Sequence, residues 1–452
     1  MNRAIVIGGN ADALVAAHML ARAGREVMVI EGANGAWEEG WVPPQVLKKL
    51  RLEGLELHWP DPWVAVPLPA GGKLELWRDM ARSVESIKRV SARDAERWPA
   101  FCKRMARLAR FLEQVYAEAP PDPLSAGFAL RARRLGRQGL EDLMRFLPMP
   151  VADLLDDWFE SDALKGALGA AGVLHLLAGP RSAGTAFRLL HHHVGCPPGV
   201  FRPPRSNVLE LLRRLPRVEL QHAEVQRVAV REGAVSGVVL TDGRELTART
   251  VVSSGDPRRV LLRMLEPGWL DPELVRALRH VRRRGVAARI GIQLDRAPGF
   301  TALALAPSLD YLERAYDDAK YGRVSQQPYI EARCDAQHRL DVHVQYVPYG
   351  ADSAGLGERV EALLAEHWGD AAPREGEVLP PRKLEEVEGW PEGQPHHAEL
   401  TLDQALWMRP LPELARYRTP IDGLWLCGQG MHPGAGVAGA AGFNCANEIL
   451  GG

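Results

Sequence analysis

The sequence predicts an α/β fold in two domains, the first of them assembled from three separated segments. Three observations point to it. A strand, tight turn, helix and second strand open the chain; a buried-type strand follows a small antiparallel unit near its middle; a strand, glycine-rich loop and helix close it. At 452 residues the chain is also long for a single core, which makes two domains the natural expectation.

Taken in order, Ala4 to Ile7 and Val27 to Ile30 are short apolar runs. Between them Leu14, Ala17, His18, Leu20 and Ala21 recur at helical spacing, and Gly24 stands where a helix end favours glycine. Strand, helix and strand so close together imply parallel pairing through a right-handed crossover. A Trp- and Pro-rich stretch follows with Trp37, Trp41, Trp59 and Trp63, which either line an apolar entrance or fill core between the domains. From about Asp79 to Leu190 the pattern is mainly helical. "ERWPAFCKRMARLARFLEQVYAEA" is one long amphipathic helix stopped by "PPDP" at 120–123, and "VADLLDDWFESDALKGALGAAGVL" is a helix or helix pair. The stretch "VELQHAEVQRVAVREGAVSGVVLTDGRELTARTVVSSG" then alternates at period two, with turns at Glu232-Gly233 and Asp242-Gly243. It leads into the strand Thr250 to Ser253. A helical and mixed region runs to about Ala415, before "GLWLCG", a glycine-rich loop and the helix "GVAGAAGFNCANEIL". The expected division places 1–78, 191–262 and 415–452 in the first domain, and 79–190 and 263–414 in the second.

Composition narrows the function classes. Apolar content of 46% and charged content of 25% are those of an ordinary globular chain. A net charge of -1 gives no global reason to bind nucleic acid or an anionic membrane. Five cysteines without a C-x-x-C pair argue against a disulfide framework or structural zinc and fit a reducing compartment. A first strand beginning near Arg3 leaves no room for a leader, and no run approaches roughly eighteen apolar residues, so a cytoplasmic chain is expected. Abundant Ala, Arg, Gly and Pro suggest a GC-rich bacterial genome.

The opening turn carries the first chemical signal. In a dinucleotide-binding unit G-x-G-x-x-G makes the turn, admits the diphosphate and lets helix and strand pack closely. Here those places hold Gly8, Asn10 and Ala13, with Gly9 between the first two. Ala is tolerated at the third place. Asn at the second puts a side chain where the diphosphate normally approaches, although Asn accepts left-handed backbone angles that would preserve the turn. Asp12, in the first helical turn, is placed to cap its own helix and weaken an anion seat. Glu31 ends the second strand, where an acid would meet ribose hydroxyls.

More distinctive text lies at the other end. "YRTPIDGLWLCGQGMHPGAGVAGAAGFNCANEIL", with "LELWRDMARSVESIKRVSARDAERWPAF", "VVSSGDPRRVLLRML", "SLDYLERAYDDAKYGRVSQQPYIEA" and "LTLDQALWMRP", resembles phytoene desaturase-like FAD-dependent oxidoreductases. Within them it resembles the branch named after its pyridine nucleotide-disulfide oxidoreductase domain. The resemblance implies a Rossmann-like FAD-binding domain of the glutathione reductase/amine oxidase type, plus a mixed α+β substrate domain. It implies that Gly8 and Glu31 serve the adenosine and pyrophosphate end, and that Val225 makes the backbone contact to adenine. It further implies that Gly428 lies beside the diphosphate and ribityl chain, and that Gly436 and Val437 open a last helix facing the flavin pyrimidine. The chain departs from the pattern at Asn10, at "GANGAWEEG", which lacks an arginine and a Gly-Gly pair, and at "CPPGVFRPPRSNVLELL". These losses surround one ligand.

Other candidates have plainer readings. His191 to His193 cannot all face one ion from a helix, so no metal site is expected. His432, in "QGMHPGAG", is either the one catalytic candidate near a flavin or the source of a loop-stabilising hydrogen bond. The basic runs "RARRLGR" (131–137) and "HVRRRG" (280–285) read as solvated helix ends, with a peripheral membrane or partner patch as the alternative. No nucleophile, base and orienting acid assemble from local spacing. Two functional readings stay open. One is a flavoprotein oxidoreductase that takes hydride from an apolar or amphipathic small molecule, with FAD as cofactor. The other is an FAD-weak or FAD-free pseudoenzyme that serves as a binding or scaffold subunit, in a homo- or hetero-oligomer with a related chain.

Overall fold

In the computed structural model, which describes residues 3–32, 40–120 and 126–451, the opening unit forms as its pattern predicts. Strand β1 (Arg3–Ile7), helix α1 (Ala11–Arg22) and strand β2 (Glu26–Glu31) follow one another, and β1 pairs parallel with β2. Thr250–Ser253 lies parallel on the other side of β1, Leu424–Leu426 beyond it, and Glu219–His222 beyond β2, making one five-stranded sheet. Ala4, Ile5, Val6, Val29 and Ile30 are fully or almost fully buried. Such continuous burial is what a strand covered on both faces requires. The last helix, Ala440–Gly451, packs against α1 so closely that a Cβ on Gly442 would lie 1.9 Å from the Asp12 carbonyl oxygen.

The antiparallel unit is also as expected. Val225–Arg231, Ala234–Leu240 and Glu245–Thr247 form a three-stranded sheet. Its first turn places Glu232 and Gly233 at φ 51° and 78°, the doubly left-handed geometry that tight hairpins use. The first strand of the alternating stretch, Glu219–His222, joins the parallel sheet instead.

The second sheet has seven strands, in the order Pro373–Leu379, Ala287–Leu294, Arg339–Gln345, Tyr329–Cys334, Ala302–Leu305, Val64–Pro67 and Lys73–Leu76. The last two differ from the expected division, because 64–76 pairs into this sheet and 1–78 is therefore shared between both sheets. Local patterning cannot reveal that partner, since Ala65 meets Leu303 across more than half the chain. The helical region contains Ala92–Tyr116, Val151–Trp158, Asp162–Val173 and Thr185–His192 around one apolar core.

The tryptophans divide. Trp63 is buried beside Phe201, Trp41 lies on Gly195, and the Trp59 indole N–H donates to the Arg202 carbonyl at 2.9 Å. Trp37 lies outside the described residues. Arg282, Arg283 and Arg284 are ion-paired with Asp403, Glu392, Asp256 and Glu399; Arg283 is largely covered, while Arg282 and Arg284 stay partly exposed. No helix among the described residues is long and apolar enough to cross a membrane.

Candidate functional site

The opening turn is held by its own neighbours. Gly8, at φ 122°, donates to the Ile30 carbonyl, and a Cβ there would lie 2.1 Å from Ser254 Oγ. A Cβ on Gly9 would lie 2.4 Å from Glu31 Oε2, so the Glu31 carboxylate rests over this glycine. Asn10 is extended (φ −81°, ψ 172°), not left-handed, so the turn survives without strain. Its Oδ1 accepts from the Ala13 N–H at 3.0 Å. That bond occupies one of the free donors by which a helix N-terminus holds phosphate. Ala13 itself is fully buried.

Both acids near the turn are engaged. Glu31 accepts from Arg213 Nη2 at 2.7 Å and Nη1 at 3.4 Å, and lies 3.2 Å from His222 Nδ1. Asp12 does not cap its own helix. Its Oδ1 accepts from Gly442 N–H at 3.3 Å, so it caps Ala440–Gly451 from the side. Burial pushes its pKa up to about 7, against the pull of the Gly442, Ala441 and Gly439 N–H groups. The N-terminal end of the last helix thus already faces the Asp12 carboxyl group.

At the C-terminal side, Gly428 lacks room for a side chain because Ser254 O would lie 2.0 Å from its Cβ. Gly436–Val437 does not open the last helix. It is a short strand parallel to Gly40–Trp41, and the helix begins at Ala440. Gly436, at φ 90°, faces His191 Nε2. Val225 is buried at the start of its strand, paired with Leu240.

The three histidines point to different partners. His191 Nε2 lies 2.6 Å from the Ala435 carbonyl and Nδ1 lies 2.9 Å from the Tyr116 hydroxyl. The carbonyl can only accept, which fixes the proton on Nε2 and makes Tyr116 the donor to Nδ1. Burial, then the nearby Arg188 charge, lowers the His191 pKa to about 3. His192 bonds to the Ala171 carbonyl and His193 to that of Val200. Among the described residues no group of His, Cys, Asp or Glu is arranged to hold a metal. His432 is buried, and its Nε2 lies 3.2 Å from the Val115 carbonyl, tying the glycine-rich loop to the 92–116 helix. Burial lowers its pKa to about 4.

Sequence reasoning missed two arginines here. Arg409 is fully buried and donates to the carbonyls of Gln429, Met431, Glu399, Gln404, His396 and Ala398. Arg188 is 1% exposed, and its Nε and Nη1 have no hydrogen-bond partner among the described residues. In "AFRLL" one arginine interrupts an apolar helical run, a pattern that does not by itself tell a buried arginine from an exposed one. Gln429 Oε1 and His397 Nδ1 are likewise buried and unpaired.

The family model described as flavin containing amine oxidoreductase matches residues 44–450. The chain belongs to this family. Pyridine nucleotide-disulfide oxidoreductase domain-containing protein 2 of Rattus norvegicus is 29% identical, over 99% of this chain and 93% of that protein. A limonene dehydrogenase subunit of Castellaniella defragrans is 24% identical, over 98% of this chain and 94% of that protein. The solved structure of putrescine oxidase bound to putrescine covers 99% of both chains at a TM-score of 0.61 and 14% identity, a likeness of fold.

For the flavin oxidoreductase family a flavin cofactor, typically FAD, is implied, and the residues present can be tested against it. They do not fit an adenosine diphosphate at the opening turn. Asn10 covers a helix amide, Glu31 lies over Gly9 and is ion-paired, and Asp12 meets the last helix.

Proposed function

We propose that this family member holds FAD weakly or not at all, and serves as a non-catalytic binding subunit in the cytoplasm. Its ligand would be an apolar or amphipathic small molecule, and its partner a related active chain. The observation that carries this reading is the Glu31 carboxylate, folded over Gly9 and held by Arg213 and His222. To accept ribose hydroxyls it would have to give up lone pairs that now hold the Arg213 guanidinium and the His222 imidazole. A relative that is named as one subunit of a dehydrogenase supports the partnered arrangement. We take the five-stranded sheet and its antiparallel unit as the nucleotide-type domain, and the seven-stranded sheet with the helical region as the ligand domain.

Visible absorption tests this. The purified protein is expected to be colourless and to remain so after incubation with excess FAD and removal of the free cofactor. A flavin spectrum, with FAD released on denaturation, overturns it.

The second reading is dehydrogenation of an apolar or amphipathic substrate with FAD as hydride acceptor. The kept strand Gly436–Val437 and the unpaired polar atoms around it favour that reading. The same spectrum decides between the two.

A further inference from the structure

The helix Thr185–His192 carries Arg188 into the interior, and nothing among the described residues there answers its charge. Its Nε and Nη1 have no hydrogen-bond partner among the described residues. The groups near enough to feel it are Tyr116, His175, His191, His192, His396, Arg202 and Arg409. None of them is a carboxylate. The other buried arginine nearby, Arg202, is matched by Glu331, with Nη2 at 2.7 Å from Oε2 and the Tyr329 hydroxyl at 2.9 Å. Arg409 is compensated by six carbonyl oxygens, named above. Of these three arginines, only Arg188 has neither acid nor carbonyl at Nε and Nη1.

Buried polar groups are almost always hydrogen-bonded, and a buried charge left unpaired costs several times a lost neutral bond. A chain needs a reason to keep such a group. Met or Leu would fill this buried helix position without the penalty, as Phe187, Leu189 and Leu190 do on the same helix. We propose that Arg188 is the seat of an anionic ligand, the carboxylate of an amphipathic small molecule whose apolar part lies against the core around this helix.

Of the three guanidiniums only Arg188 has open donors, the Arg409 and Arg202 donors being already engaged, so the seat is matched to a single carboxylate rather than to a phosphate that needs several donors. The location agrees with the binding role proposed above, on which this inference rests for the ligand being small and amphipathic. His191, three residues from Arg188 on the helix, bonds the Ala435 carbonyl beside Gly436, so the seat adjoins the glycine-rich loop. Full charge makes a carboxylate–guanidinium hydrogen bond strong where water is excluded.

The test is thermal unfolding of the full chain with decanoate, decanol or inorganic phosphate, in wild type and Arg188→Met. Decanoate should raise the wild-type midpoint saturably by about 3 °C or more. Decanol and phosphate should each give less than half of that. Arg188→Met should unfold at a higher temperature than wild type without ligand, and should lose the decanoate shift. Equal shifts from decanol and decanoate, or none from either, overturn the proposal. An equal shift from phosphate overturns the amphipathic part. Should the variant fail to fold, the three wild-type titrations still decide. A yellow protein that shifts with decanoate would overturn the FAD-weak reading and keep the anion seat; a colourless one without a shift would do the reverse.

Discussion

The two ends of the family's dinucleotide cleft have had opposite fates in this chain. At the opening turn the polar groups that could receive adenosine diphosphate are occupied from within: Asn10 by the Ala13 N–H, Glu31 by Arg213 and His222, Asp12 by Gly442. Around the glycine-rich loop, by contrast, Arg188, Gln429 and His397 retain buried atoms with no partner among the described residues. Buried polar groups must be paired in one way or another. One end has achieved this with its own side chains. The other leaves such atoms open.

The difference can be broken from either side. The largest effect is expected from acid, which strikes the buried histidines. His191, His193, His343 and His432 are held by burial at about 3, 4, 4 and 4, below the ordinary 6.5. Their folded values lie below the unfolded one, so the stability they contribute is present above about pH 6.5 and is lost as the pH falls toward 4. The shift of His191 represents about 5 kcal/mol and each of the others about 3 kcal/mol at 1.36 kcal/mol per unit, and a domain has only about 5–15 kcal/mol to lose. Circular dichroism should therefore show unfolding near about pH 5. A folded protein at pH 4 would show that the histidines reach water.

Asp12 titrates in the other sense. Its folded value lies above its unfolded one, so stability falls as pH rises from about 4 to about 7 and is level beyond. Asp12→Asn should stabilise the chain most above pH 7, by up to about 4 kcal/mol, with the gain shrinking toward pH 4. Urea unfolding at pH 6 and pH 8 measures it. A loss at both values would mean that the Gly442 bond needs the full charge.

Arg213→Ala with His222→Ala strips the partners from a buried Glu31. Both partners are substantially exposed, which moderates the effect to a loss of about 1–3 kcal/mol. No change would show that Glu31 is free to meet a ligand. The smallest effect is Asn10→Ala, about 1 kcal/mol for a lost helix cap, with Asn10→Gly costing only a few tenths. Equal effects from Ala and Gly would deny Asn10 its capping role.

Much of the fold was legible because its signals are local. The apolar runs on either side of the 11–22 helix, and the Glu232-Gly233 turn, depend on neighbours in sequence. The pairing of Val64–Pro67 with Ala302–Leu305 was not legible, since nothing in either strand names its partner. The candidate site divides in the same way. Asn10 and Asp12 were readable as departures from a spaced motif, but Asp12's true partner lies at Gly442, at the far end of the chain. Arg188 was hidden for a different reason: a lone arginine in a helix usually reaches water, and only tertiary packing shows that this one does not.

The most direct test is calorimetric titration of the purified protein with FAD, beside the Asn10→Gly/Asp12→Asn double variant. With the opening turn closed by its own side chains, the wild type should give no saturable heat and the variant a measurable one. Stoichiometric FAD binding by the wild type, unchanged in the variant, would contradict the account.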